Sequence, residues 1–194
     1  MKIQSLRQHR GFTLVELLIV IAIIMVLASL GFAGVQTAMK RAKTVQSLNI
    51  ATNVAQGIQN FYDEYGSLPS TSATASEIDT NSGEGVTLLR VLLGQEGSGT
   101  SAINTKSIRY LDIKAAKGKK AGLDYGTSGS TVNGLYDAWG EPFYVVFDDD
   151  YNDEIPNPIR FSTTEPAIIR GAKAIVYSKG ADRKKNTKDD VKSF

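Results

Sequence analysis

Cysteine is absent from the sequence, so disulfides, thiolate metal sites and cysteine nucleophiles are all excluded. That absence is compatible with an oxidising compartment and does not fix one. Histidine is nearly absent too. The one residue, His9, lies in a basic N-terminal stretch, leaving no imidazole downstream for a histidine zinc site or a Ser-His-Asp triad. Net charge is almost lacking, at +2, so nothing at whole-chain level points to nucleic acid. The length of 194 residues suits one globular domain and an appendage.

Charge is scarcest between Phe12 and Val35, where Glu16 is the only ionisable residue. The apolar and small residues from Leu17 to Val35 are long enough to cross a bilayer core. Lys2, Arg7 and Arg10 precede the run and hold the N-terminus on the cytoplasmic side. A removable secretory signal fits poorly. The run is too long for an ordinary signal core, it carries a carboxylate, and no helix breaker or polar cleavage region follows it. A carboxylate in lipid is costly unless paired, which makes Glu16 a functional candidate. No basic residue lies between Phe12 and Met39 to pair with it. Cleavage between Gly11 and Phe12 would create an α-amino group one helical turn from Glu16, within reach of Glu16 on a neighbouring subunit.

The stretch "GFTLVE" resembles the type III signal of type IV pilins and type II secretion pseudopilins. The resemblance implies that a prepilin peptidase cuts after Gly11 and methylates the amine of Phe12. It also implies that Glu16 neutralises the N-terminus of the adjacent subunit during assembly.

Beyond Val35 the apolar spacing stays helical. Val35, Met39, Ala42, Val45, Leu48, Ala51, Val54, Ile58, Phe61 and Tyr65 recur at threes and fours. Lys40, Arg41, Lys43, Gln46, Asn49, Gln59 and Asp63 occupy the other side. The pattern predicts one nearly continuous helix from about residue 12 to 65, roughly 80 Å at 1.5 Å per residue. Its first half wants lipid or other helices, and its second half a globular domain. The stripe is too Ala-rich and irregular for a sustained coiled-coil seam. Gly66 and Pro69 end the helix.

A Ser/Thr-rich loop follows, and "GVTLLRVLLGQEGSG" predicts a second, short helix with Gly94 near its end. "SIRYLDI" reads as a possible strand, and "KAAKGKKAGLDYGTSGSTVNG" as loop. Its lysines 114, 117, 119 and 120 are read as solvated loop charge. Two strands are expected, Phe143–Phe147 and about Ala172–Tyr177, with "PAIIRG" adding a short piece. The order predicts an α+β fold, with an antiparallel sheet packed on the helix stripe. The expected organisation is a leader over 1–11, a transmembrane and assembly helix over 12–35, an amphipathic half over 36–65, and a periplasmic globular domain over 66–194.

Three further stretches resemble the major pseudopilin of type II secretion systems. "YGSLP" is similar to that family's helix-ending signature, and "DAWGEPFYV" to its Asp-Pro-Trp-Gly strand entry, with Ala138 replacing the proline. "YSKGADRKKNTKDDVKSF" is similar to its C-terminal loop. Residues from about 70 to 133 have no clear match. The family often has a proline where Ala33 stands, and the surrounding Gly31 and Gly34 could still permit local melting in a fibre, at about 1 kcal/mol each relative to alanine.

The C-terminal loop holds Asp182, Asp189 and Asp190 among Arg183, Lys184, Lys185 and Lys188. Composition alone favours a solvated charged tail. The resemblance implies a structural calcium there, bound by the side chains of Asp182, Asp189 and Asp190 and the backbone carbonyls of Lys179 and Thr187. In "FDDDYNDEIP", Asp148, Asp150, Asn152 and Glu154 alternate like the start of a calcium loop. Asp153 stands where a glycine is expected at the sixth position, and Ile159 where a glutamate is expected at the twelfth. A charged hairpin tip is the favoured reading of this run, and an Asp-Asp catalytic pair has no other support.

Taken together, the expectation is a non-enzymatic subunit of the bacterial inner membrane with its C-terminal domain in the periplasm. It would form a helical homo-oligomeric fibre with minor pseudopilins and inner-membrane secretion components, after processing by prepilin peptidase and without nucleic acid. The alternatives are a type IV pilin, a minor pseudopilin, or a membrane-anchored periplasmic binding or enzymatic domain. A large concave pocket with clustered polar groups would favour the last.

Overall fold

A computed structural model describes residues 11–69, 77–97, 102–127 and 129–194, apart from the side chains of residues 30–33. The basic leader and most of the Ser/Thr-rich loop lie outside the described residues. Helix α1 runs unbroken over Leu14–Tyr65, close to the expected span and continuous across the two glycines. The chain divides into two units, residues 1–41 and 42–194.

In the first unit the helix exposes apolar residues all round, from Leu14 to Leu27. Its most apolar 18-residue window has a mean hydropathy of 2.8 and no buried residue.

In the second unit, α1 buries one face from Ser47 onward: Ile50, Ala51, Val54, Ile58 and Phe61. The expected stripe therefore docks later than its spacing suggests. Val45 and Leu48 remain exposed at 56% and 39%, while Ser47 and Ile50 turn inward. Helix periodicity identifies a face, but only the facing chain decides where docking begins. Gly57 permits close approach at the centre of this face. A Cβ there would lie 2.7 Å from Leu111 Cδ2 and 3.0 Å from the Tyr110 carbonyl.

Helix α2, Gly83–Leu93, starts at Ser82, whose Oγ accepts from the Gly85 amide, and stops at Gly94 in a left-handed conformation. Leu88, Leu89, Val91 and Leu92 pack into the same core as α1.

Four antiparallel strands form the main sheet, in the order β1, β4, β7, β8. They are β1 (Ile78–Asp79), β4 (Tyr144–Phe147), β7 (Ala174–Ser178) and β8 (Val191–Lys192). Val145 and Phe147 of β4 and Val176 of β7 face the α1 core. Their alternate neighbours Tyr144, Val146, Ile175 and Tyr177 face a second cluster with Ile155 and Ile159. Burial on both faces explains why these strands are continuously apolar rather than alternating. A hairpin of β5 (Glu154–Pro156) and β6 (Ile168–Arg170) contributes to that second cluster.

Three expectations change. "SIRYLDI" joins no sheet, because other groups take its backbone bonds. Tyr110 N–H donates to the Leu92 carbonyl, Asp112 N–H to Asn53 Oδ1, and the Asn104 side chain brackets Ile108. The segment read as loop instead holds a hairpin of β2 (Gly122–Asp124) and β3 (Gly134–Tyr136). Its strands are only three residues long, too short to show a period. The two-residue strands β1 and β8 escape the sequence for the same reason. Lys114, Lys117, Lys119 and Lys120 are exposed, as read from the sequence.

Candidate functional sites in the helix start, the turn and two acidic loops

The helix start is a capping box. Thr13 Oγ1 accepts from the Glu16 amide at 3.2 Å. The Glu16 carboxylate reaches back to accept from Thr13 N–H at 2.9 Å and Thr13 Oγ–H at 2.7 Å. Thr-x-x-Glu is the sequence signature of this arrangement, and it sits in plain view within "GFTLVE". The partner of Glu16 at the helix start is thus the neutral Thr13 and not a basic side chain. Among the described residues Glu16 is hydrogen-bonded to Thr13, and no ion pair reaches it. Gly11 and Phe12 precede the helix in an exposed, non-helical stretch.

The "DAWGEP" turn is organised by Asp137, which is fully buried. Its Oδ1 accepts from the amides of Trp139 at 2.8 Å and Glu141 at 2.9 Å. Its Oδ2 accepts from Ser178 Oγ at 2.5 Å. The next amide, that of Ala138, donates to Ser47 Oγ on α1 at 3.0 Å. One short turn thus ties the end of β7 to the helix face, and this explains a serine inside an apolar stripe.

The C-terminal loop, between β7 and β8, is folded around its own carboxylates. Asp189 Oδ2 accepts from Asp182 N–H, Asp182 Oδ1 from Lys184 N–H, and Asp190 Oδ2 from Thr187 N–H. Asp190 Oδ1 is buried without a hydrogen-bond partner. Burial pushes the Asp190 carboxyl above its ordinary value. Burial pushes Asp189 the same way, but hydrogen bonds from Asp182, Thr187 and Ala181 outweigh it and hold that carboxyl low.

The cations Arg183, Lys184, Lys185 and Lys188 of the loop are exposed, and two of them also form ion pairs. Arg183 pairs with Glu141 at 3.1 Å, and Lys185 with Glu77 at 2.7 Å. The Lys179 ammonium lies over the Tyr144 ring, so only its carbonyl is left for the expected role. The Thr187 carbonyl accepts from the Asp190 amide at 3.3 Å. No group of three acidic or histidine side chains poised for a metal occurs among the described residues. The orphaned Asp190 oxygen and the oxygen-rich loop nevertheless fit a hard cation.

In the second acidic run, Asp148 is buried while its neighbours are exposed. Lys173, at the start of the β7 segment, reaches both Asp148 Oδ2 at 3.0 Å and Asp153 Oδ1 at 2.5 Å. These two carboxylates raise the Lys173 ammonium well above its ordinary value. The same ammonium lies 5.1 Å from the ring centre of Tyr62 on α1.

Beside α1, an open cavity of about 320 Å³ is lined by Gln46, Asn49, Ile50, Asn53, Asp112, Ile113, Lys114 and Ala121.

Comparison with known proteins agrees with the helix start. Residues 6–32 match the family described as "Prokaryotic N-terminal methylation motif". The fimbrial protein EcpC of Eikenella corrodens is 30% identical over 116 residues, covering 59% of this chain and 73% of that protein. The type IV major pilin protein PilE of Neisseria gonorrhoeae is 28% identical over 115 residues, 59% of this chain and 66% of that protein. A fimbrial protein of Neisseria meningitidis is 33% identical over 67 residues, 34% of this chain and 39% of that protein. No solved structure matches the chain significantly. With its methylation motif, its long apolar helix and its helix-backed antiparallel sheet, the chain belongs to the type IV pilin-like family.

Proposed function

We propose that this chain is a structural, non-enzymatic subunit of a periplasmic pseudopilus, resembling the major pseudopilin of type II secretion. The observation that carries the fibre role is the exposed apolar helix headed by Glu16. Such a surface needs lipid before assembly and neighbouring helices afterwards.

In this reading, prepilin peptidase cuts between Gly11 and Phe12 and methylates the Phe12 amine. The subunit waits in the inner membrane through residues 12–35 with its C-terminal domain in the periplasm. Glu16 then exchanges its Thr13 contacts for the amine of an adjacent subunit. A heterologous contact repeated without closure yields a helical fibre. Minor pseudopilins and inner-membrane secretion components are the expected partners. Extension of the fibre pushes substrates outward.

The pseudopilin reading over a pilin rests on the Asp137 turn and on a C-terminal loop locked by carboxylates in a chain without cysteine. Calcium in that loop would be held by Asp182, Asp189 and Asp190 with the Lys179 and Thr187 carbonyls. Asp190 Oδ1 supports this assignment, since a cation would give that buried oxygen the partner it lacks.

The second reading, a type IV pilin, is favoured by the names of the relatives. Deletion of the chain separates the two. A pseudopilin deletion leaves exported proteins in the periplasm, and a pilin deletion removes fibres that shear from the cell surface. Normal protein export after deletion overturns the secretion role.

A further inference from the structure

In sequence, two departures make the run from Asp148 to Glu154 a charged tip: Asp153 at the sixth position in place of glycine, and Ile159 at the twelfth in place of glutamate. The structure removes the first objection, because Asp153 adopts the left-handed conformation that a glycine would supply, with φ at 61°. Four oxygens then fall at the alternate positions of a cation loop.

Asp148 is the first. Its side chain is wholly buried, and Oδ2 accepts from the Asp153 amide across the loop at 3.2 Å. Its other oxygen, Oδ1, is buried and has no hydrogen-bond partner. A buried carboxylate oxygen left unpaired is costly, and it calls for a cation or a donor.

Asp150 and Asn152 follow on the loop. The Asn152 amide donates to Asp150 Oδ1 at 3.3 Å, and Asn152 Oδ1 accepts from the Glu154 amide at 2.7 Å. The fourth oxygen is the Glu154 carbonyl. Gly171 N–H donates to the Asp153 carbonyl and Asn157 N–H to the Ala167 carbonyl. Alternation along an antiparallel pair then makes Glu154 and Arg170 a pair without ladder bonds. The Glu154 N–H and C=O both point away from β6, on the side where Asn152 already meets the N–H.

Charge agrees with the oxygens. The loop carries Asp148, Asp149, Asp150, Asp153 and Glu154. Lys173 serves the outer oxygen of Asp148 together with Asp153, and Arg170 serves Glu154 at 2.7 Å. Among the described residues no ion pair reaches Asp149 or Asp150.

We propose that this loop is a second divalent-cation site of the calcium class, with Asp148 Oδ1, the Asp150 carboxylate, Asn152 Oδ1 and the Glu154 carbonyl as ligands and water completing the shell. Lys173 keeps the loop folded when the cation is absent. The missing twelfth-position glutamate places the affinity in the roughly 10⁻⁴–10⁻³ M range of extracellular modules. The site stands apart from the C-terminal loop and does not depend on which fibre the chain builds.

The test uses the full chain in detergent, with calcium chloride as the probe and chelator as the reference. Amide exchange read by mass spectrometry should slow across peptides covering 148–157 when calcium is added. Asp150→Ala, at an exposed position, should abolish that protection and weaken calcium binding there by roughly tenfold or more, following the loss of ligand charge. Any calcium response of residues 179–191 should stay unchanged. Calorimetric titration of Asp189→Ala/Asp190→Ala should still show one calcium bound. Equal exchange over 148–157 with calcium and with chelator overturns the proposal, as does protection that survives both Asp150→Ala and Asn152→Ala.

Discussion

Replacing Asp137 with alanine should be among the most destabilising single changes in the domain. The carboxylate takes three donors: two turn amides and the Ser178 hydroxyl. Truncation leaves all three inside a region where Asp137 is itself fully buried. Each unsatisfied donor costs about 1–3 kcal/mol. Rotation of the Ser178 hydroxyl and partial water entry recover some of this, so we expect a net loss of about 3–5 kcal/mol. Asp137→Asn keeps the acceptor for both turn amides and disturbs only the Ser178 bond, so its cost should be about 1–2 kcal/mol.

The assay is urea unfolding followed by the fluorescence of Trp139, the only tryptophan in the sequence and one whose own amide binds Asp137. Both variants should lower the midpoint, in the order alanine below asparagine below wild type. A loss under about 1 kcal/mol for Asp137→Ala would show that the turn is held by its backbone bonds alone, and would refute the reasoning.

Gly57→Val should also destabilise, by about 1–3 kcal/mol through overpacking against Leu111 and the Tyr110 carbonyl, as measured by the same unfolding curve. Unchanged stability would mean that the 107–113 segment yields to α1. Glu16→Ala should insert in the membrane and fail to enter fibres, read by fractionation and by fibre isolation. Calcium should raise the melting temperature of the domain near neutral pH. That gain should fade as pH falls through the Asp190 titration, which burial places above the ordinary value of 3.8. The sign follows from the raised value. In the calcium-free fold, charged Asp190 is a penalty that appears as pH rises past its unfolded value, and protonation relieves it while removing the ligand. Asp190→Asn should accordingly abolish the calcium response of the C-terminal loop without destabilising the chelated protein. Identical melting curves with calcium and with chelator would contradict both calcium assignments.

The parts of the fold legible in sequence were those with long periods. Helix α1 could be bounded because an apolar run of membrane length passes directly into apolar residues spaced by threes and fours, and Gly66 ends it. Strands β4 and β7 were visible as dense β-branched and aromatic runs, but their continuous apolarity hid the second cluster behind the sheet. Strands of two or three residues carry no period, so β1, β2, β3, β5 and β8 emerge only from their partners.

The sites show the same division. Thr13 and Glu16 form a local motif three residues apart, readable in principle and overlooked in favour of a charge partner. The Lys173 contact with Asp148 spans 25 residues, and the Asp137 contact with Ser178 spans 41. Neither follows from spacing. The conformation of Asp153 is likewise invisible in its identity, since an aspartate at positive φ looks in sequence like an aspartate anywhere.

The central claim is that this helix becomes an assembly element only after cleavage frees an amine at Phe12. The mass of the N-terminal peptide of the protein recovered from membranes tests it most directly. The account predicts a peptide beginning at Phe12 and heavier by one methyl group. A peptide that retains the residues up to Gly11, or one that begins elsewhere in the apolar run, would contradict it.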